Sequence, residues 1–135
     1  MNTARPLFRR IDCIRLRVSD LEAALTFYRD RLGHQLVWRS EQAVGLRMPE
    51  TDAEIVLHTE RPGQEIDLKV ESADAAAARF VEAGGKVIVP PFDIQIGRCV
   101  VVADPWGNPL VLLDTSKGLL LTDDAGNIIG NQAPS

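Results

Sequence analysis

The chain has 135 residues, 45% of them apolar and 25% charged, with a formal net charge of −4. Such a length and composition describe one ordinary domain able to bury its own core. Charges of mixed sign without a basic run exclude a nucleic-acid footprint or a polybasic membrane anchor, and no stretch reaches the roughly 20 apolar residues of a membrane span. The opening "MNTARPLFRR" lacks the apolar run of a secretion signal, and Cys13 and Cys99 make no CxxC pattern, so a cytoplasmic protein with two reduced thiols is expected.

Ile14, Leu16 and Val18 alternate and predict a first strand whose other side carries Cys13, Arg15 and Arg17. "SDLEAALTFYRDRLG" follows as a helix, with Ser19 and Glu22 in the positions of a capping box and Gly33 as its left-handed stop. Three strands are expected near His34–Ser40, Ala43–Met48 and Glu54–Thr59. Ile66, Leu68 and Val70 then open the same order again, with a helix over about Ala73–Ala83 capped by Ser72 and ended by Gly84 and Gly85. Strands near Lys86–Pro90, Arg98–Ala103 and Pro109–Asp114 complete it. "LLLTDDAGNIIG" reads as a hairpin turning around residues 124–127, and the last residues read as loose.

The two halves are copies. A shift of 52 residues lays Ile14 on Ile66, Leu16 on Leu68, Val18 on Val70, Tyr28 on Phe80 and Gly33 on Gly85. The later segment from Leu46 to His58 falls on Val101 to Leu113, with Val56 on Val111. The expected architecture is α+β: one domain over 1–135, with βαβββ modules at about 8–60 and 64–115 and a hairpin and tail over 116–135.

Three segments, "CIRLRVSDLEAALTFYRDRLG", "EIDLKVESADAAAARFVEAGG" and "DPWGNPLVLL", give the chain a resemblance to the vicinal oxygen chelate superfamily, the group of glyoxalase I, bleomycin-resistance proteins and extradiol dioxygenases. The first is close to the family opening H-V-x-L-x-V-x-D-L…FY-x-x-x-LG and the third to D-P-x-G-N-x-x-E-L. The resemblance implies a cup-shaped half-barrel, a homodimer, and a divalent metal held by one residue from the first and last strand of each module. Those positions map onto Cys13, Val56, Glu65 and Val111, and two valines cannot ligate, so no cofactor is expected at the family position. A displaced ion held by His58, Glu65 and Cys13 is the conditional alternative.

Alternation aims Cys13, Arg15, Arg17, Glu54, His58, Glu65, Asp67 and Lys69 into the cup, with Arg47 and Arg98 added from the third strand of each module. Five basic residues among these (Arg15, Arg17, Arg47, Lys69, Arg98) against three acidic ones (Glu54, Glu65, Asp67) lean toward an anionic ligand. Three functions remain open. The first is metal-independent binding of a small, anionic or carbonyl-bearing ligand. The second is glyoxalase- or lyase-type catalysis, using a displaced metal or Glu65 as a general base raised toward neutrality. The third is a cup closed by internal ion pairs of Arg15 and Arg17 with Glu65 and Asp67. Cys13 reads as a buried inert thiol or, beside Arg15, as a thiolate nucleophile.

Overall fold

A computed structural model describes residues 5–133; the first four residues and the last two of the expected tail lie outside it. Strand β1 (Arg10–Arg17) leads into helix α1 (Leu21–Leu25), which runs on as a π-helical turn over Thr26–Arg31. Strands β2 (Leu36–Arg39), β3 (Ala43–Met48) and β4 (Thr51–His58) complete the first module. The second repeats the order with β5 (Glu65–Lys69), α2 (Ala73–Glu82), β6 (Lys86–Ile94), β7 (Gly97–Ala103) and β8 (Pro109–Leu113). Strands β9 (Leu120–Thr122) and β10 (Ile128–Asn131) form the C-terminal hairpin.

Local chemistry sets the helix ends. The Ser72 hydroxyl accepts the Ala75 N–H at 3.2 Å, as expected for an N-cap, and Gly84 takes the left-handed conformation (φ +111°) after the helix. The first helix differs from the expectation. Asp20, not Ser19, is its cap, accepting the Ala23 N–H at 3.1 Å, and Glu22 reaches out to Arg39 at 3.1 Å. The ladder of β1 reaches Val18, as the alternation implied, because the Val18 N–H donates to the His58 carbonyl at 2.9 Å.

The main sheet has the order β2-β3-β4-β1-β5-β8-β7-β6. Each module is a mirrored half, and the halves join where β1 and β5 run antiparallel, Ile14 opposite Ile66, Cys13 opposite Asp67 and Arg15 opposite Glu65. Both helices pack on one face. In the first module Leu25, Val44, Leu46 and Leu57 are buried there; in the second, Val70, Ala73, Ala76, Val100, Val102 and Leu112. The repeated first strands only partly obey the expected packing. Leu16 and Leu68 lie against the two cores, but Ile14 and Ile66 sit at the seam, where neither helix covers them, and are 39% and 47% exposed.

The opposite face carries no helix, yet Cys13, Val56, His58, Asp67, Cys99, Val111 and Leu113 on it are all buried. Burial without a second layer requires the sheet to curve around that face, which is the cup. Trp38 fills its first half: the indole packs on Cys13, Ala43 and Val56 and donates from Nε1 to Glu54 Oε1 at 2.7 Å. A bulge between Leu36 and Trp38 turns it inward, and Gly45 makes the space, since a Cβ there would overlap the indole ring. Asp114 braces the second half, accepting the N–H groups of Ala73 (2.8 Å) and Arg98 (2.9 Å) and the Ser116 hydroxyl (2.7 Å), so one buried carboxylate ties the start of α2 to β7 and the end of β8. No helix among the described residues is long and apolar enough to cross a membrane.

Gly45→Ala drives a methyl into the Trp38 ring in a closed space, and we expect it to cost about 1–3 kcal/mol. Urea unfolding checks this, with Trp38→Leu/Gly45→Ala as the relieving double variant; a neutral single variant would show that the indole is not confined.

Candidate functional site

The wall of the cup is built on the β1–β5 seam. A bulge between Ile11 and Cys13 adds Asp12 to β1 and brings its carboxyl beside the Cys13 thiol. Asp67 faces Cys13 across the seam, Glu65 faces Arg15, and Glu54 lies beside Cys13 on β4. The turn between the modules contributes two residues that strand alternation could not place. Arg15 Nη2 donates to Glu60 at 3.0 Å and its Nε lies 3.7 Å from Glu65, while Arg61 donates to Glu65 at 2.7 Å and approaches Glu60 at 3.9 Å. Arg15, Glu60, Arg61 and Glu65 thus form one charged ring at the rim.

One expected cup residue stands elsewhere. Arg98 is on the helix side, bonded to Asp74 of α2 at 2.9 and 3.0 Å and near Asp93 at 3.4 Å. Arg47 is not its repeat mate: Val44 matches Val100 on the helix side, a shift of 56, so Arg98 corresponds to Gln42. Arg17 and Arg47 keep the cup face but are exposed there, Arg17 beside His58 and Arg47 opposite Glu54. His58, by contrast, is not the surface residue a strand-end histidine suggests; it is 1% exposed.

These placements even out the charge balance. Arg15, Arg17, Arg47 and the half-buried Lys69 share the cup face with Asp12, Glu54, Glu65 and Asp67. Burial, then a hydrogen bond and repulsion from Glu65, push the Asp67 carboxyl up to about 8, so it keeps its proton at neutral pH. Burial alone would raise Glu65 too, but the hydrogen bond from Asp67 and the Arg61 and Arg15 guanidiniums carry it below the usual carboxylate range. Glu65 is therefore not a base poised near neutrality; in this pair Asp67 is the group that titrates there. Burial also raises Asp12 and Glu54. Burial first, then the Asp67 and Asp12 carboxylates, hold the Cys13 thiol far above its ordinary value, and Cys99 is pushed up to about 12, so both are protonated thiols and neither is a thiolate nucleophile.

Among the described residues, three buried side-chain polar atoms lack a hydrogen-bond partner: Arg15 Nε, His58 Nε2 and Asp67 Oδ1. The His58 tautomer follows from its surroundings. Burial and the two guanidiniums lower its pKa, and Nδ1 accepts the Glu60 N–H at 3.3 Å, so the proton of the neutral ring is on Nε2. The cup thus offers two unmatched donors and one carboxyl oxygen, each desolvated at a cost of about 1–3 kcal/mol unless something binds to it.

Cys13, Val56 and Val111 line the cup in the places a metal's ligands would take. Two of the four mapped positions carry no donor atom, the Cys13 thiol is held protonated, and Glu65 is engaged by two arginines, so this donor set does not fit a divalent ion. The displaced set of His58, Glu65 and Cys13 does not assemble either; among the described residues no three His, Cys, Asp or Glu side chains are grouped to hold a metal.

The fold and the cup define a tandem βαβββ protein whose sheet curves around one face. The sequence model of the Glyoxalase/Bleomycin resistance protein/Dioxygenase superfamily matches residues 10–112, and the chain belongs to that superfamily. It is 32% identical over 68 residues to a protein described as "Putative glyoxylase CFP32" from Mycobacterium tuberculosis, covering 48% of this chain and 26% of that protein. Among solved structures it is similar to methylmalonyl-CoA epimerase from M. tuberculosis (TM-score 0.69, 20% identity, 84% of this chain and 92% of that one). It is also similar to homoprotocatechuate 2,3-dioxygenase from Brevibacterium fuscum (TM-score 0.60, 27% identity, 82% of this chain and 37% of that one).

Asp67 gives stability a pH signature. The unfolded chain releases this proton in the ordinary carboxylate range, whereas the fold keeps it up to about 8. Between the two values the folded state holds the extra proton, so the contribution of Asp67 declines as pH rises through that window. Asp67→Asn should flatten the fall in melting temperature between pH 5 and 8 and stabilise the protein at pH 8 by about 1–4 kcal/mol. Identical pH profiles for the two proteins would refute the assignment.

Proposed function

We propose that the chain binds a small, neutral, oxygen-bearing molecule in its cup without a metal ion. The observation that carries this reading is the trio of buried, unpartnered atoms on one wall, Arg15 Nε, His58 Nε2 and Asp67 Oδ1. Two donors suit a carbonyl or ether oxygen, and a carboxyl oxygen beside them suits a hydroxyl. The engagement of Arg15 by Glu60 and Glu65 argues against the anion that the sequence count favoured, because the buried guanidinium already spends its charge within the protein. The valines at two metal-ligand positions support the metal-independent part. The homodimer expected from the resemblance and the cytoplasmic location expected from the sequence belong to the same reading.

A second reading, proton-transfer catalysis of the lyase or isomerase type, is favoured by one observation, the Asp67–Glu65 pair, in which Asp67 titrates near 8 beside an ionised neighbour. Here Asp67, not Glu65, is the acid.

Calorimetric screening of neutral carbonyl and hydroxyl compounds against carboxylates of equal size separates these outcomes. We expect neutral compounds to bind, with affinity reduced tenfold or more in His58→Phe and Arg15→Met. Stoichiometric zinc, nickel, iron or manganese in protein purified without chelators, or preferential binding of carboxylates, would overturn the proposal. Turnover lost in Asp67→Asn but kept in Glu65→Gln would establish the second reading.

A further inference from the structure

The C-terminal hairpin is attached to both free edges of the main sheet. At its base, the Asn131 side-chain amide donates to the carbonyls of Gln95 (2.8 Å), Gly118 (2.8 Å) and Lys117 (3.2 Å), and its Oδ1 accepts from Gln95 Nε2 at 2.5 Å, all at the β6–β7 end of the sheet. At its tip, the Arg39 N–H of the opposite edge strand β2 donates to the Gly126 carbonyl at 2.8 Å, and Asn127 bridges Arg39. The route between these anchors is fixed by length. Eight strands spaced about 4.8 Å apart separate the two edges by roughly 34 Å along the sheet. The four residues from Asn127 to Asn131 reach at most about 14 Å. A path around the helix side is therefore out of reach, and the hairpin crosses the open side of the half-barrel.

The two attachments differ in kind. At the base Asn131 makes two side-chain hydrogen bonds to Gln95 of the β6–β7 turn, its others going to Lys117 and Gly118 in the segment that leads into the hairpin. The tip is held by the backbone bridge of Arg39 to Asn127, which includes the Arg39 N–H bond to Gly126, and by Gly126, whose α-carbon is so close to Leu36 that a Cβ would overlap it. Beside the tip lies a polar cleft of about 460 Å3, walled by Arg29, Arg39 and Arg47 on one side and by residues 122–126 on the other, so one flank of the tip faces solvent while Gly126 rests on Leu36.

We propose that the hairpin is a gate over the cup, hinged at Asn131 and latched at Arg39, and that opening the latch admits small molecules to the chamber. This goes beyond the proposed function and holds whatever the ligand is. The latch bond can be removed selectively. The Arg39 N–H points away from β3 toward the hairpin, so Arg39→Pro deletes that donor at an edge strand, where proline is tolerated. Arg39→Ala keeps the donor and loses only the pair with Glu22.

The buried thiols Cys13 (3% exposed) and Cys99 (5% exposed) report access to the cup. Alkylation of the native full chain at one pH should be at least tenfold faster in Arg39→Pro than in Arg39→Ala or the unaltered protein, with the circular dichroism spectrum retained. In case the proline variant fails to fold, the unaltered protein supplies a second measurement. Exchange of the Arg39 amide and labelling of the thiols should proceed through one opening that is faster than global unfolding. Equal labelling in a folded Arg39→Pro, or thiols of the unaltered protein that react only at the global unfolding rate, would overturn the gate.

Discussion

Every property of the cup depends on the antiparallel pairing of β1 with β5. Because these strands meet with Ile14 opposite Ile66, the residues on either side are forced into fixed partnerships, Cys13 with Asp67 and Arg15 with Glu65. A slip of one residue would send the acids to the helix side and bring the isoleucines into the chamber. The seam thus sets an arginine and two carboxyls side by side in a desolvated place, and their mutual influence then decides which carboxyl is ionised. Glu65, in reach of two guanidiniums, takes the negative charge, and Asp67, deeper and farther from them, takes the proton.

The element order was legible in the sequence because each module is written twice in alternating and helical periods. β3 was expected over Ala43–Met48 and lies there, and Ser72 caps α2 as the pattern said. The face of these first-strand residues was also readable, and Cys13, Arg15, Glu65 and Asp67 stand on the cup face as alternation implied. The failures have a common cause in irregularities that break a period. A bulge beside Asp12 and another before Trp38 reassign faces locally, and neither leaves a mark on hydrophobic alternation. Arg98 was put on the wrong side of the sheet by matching it with Arg47, whereas the third strands are related by 56 residues, which sets Arg47 on Ala103. Glu60 and Arg61 were missed because they belong to a turn, where no period operates.

The ring of Arg15, Glu60, Arg61 and Glu65 reconciles two readings that looked exclusive. Internal pairing does occur, as a closed cup would require, but it consumes the charges while leaving Arg15 Nε, His58 Nε2 and Asp67 Oδ1 unmatched. The network therefore fixes the wall's shape and removes its net positive character, and the remaining specificity comes from neutral hydrogen bonding. A rigid wall with few unspent polar atoms is a discriminating one, since a group that lacks the matching oxygen leaves buried donors empty.

The indole of Trp38 has a consequence for how this chain can change. It occupies the space between Cys13, Ala43 and Val56, and it fits only because position 45 is glycine. Placing histidine at position 56 would supply a donor atom without supplying room for an ion. A metal there would need Trp38 and its hydrogen bond to Glu54 to be given up first, at a cost in packing. The first half of the cup has thus become a one-way step in sequence space, in which the order of substitutions, and not merely their identity, decides what the fold can still become.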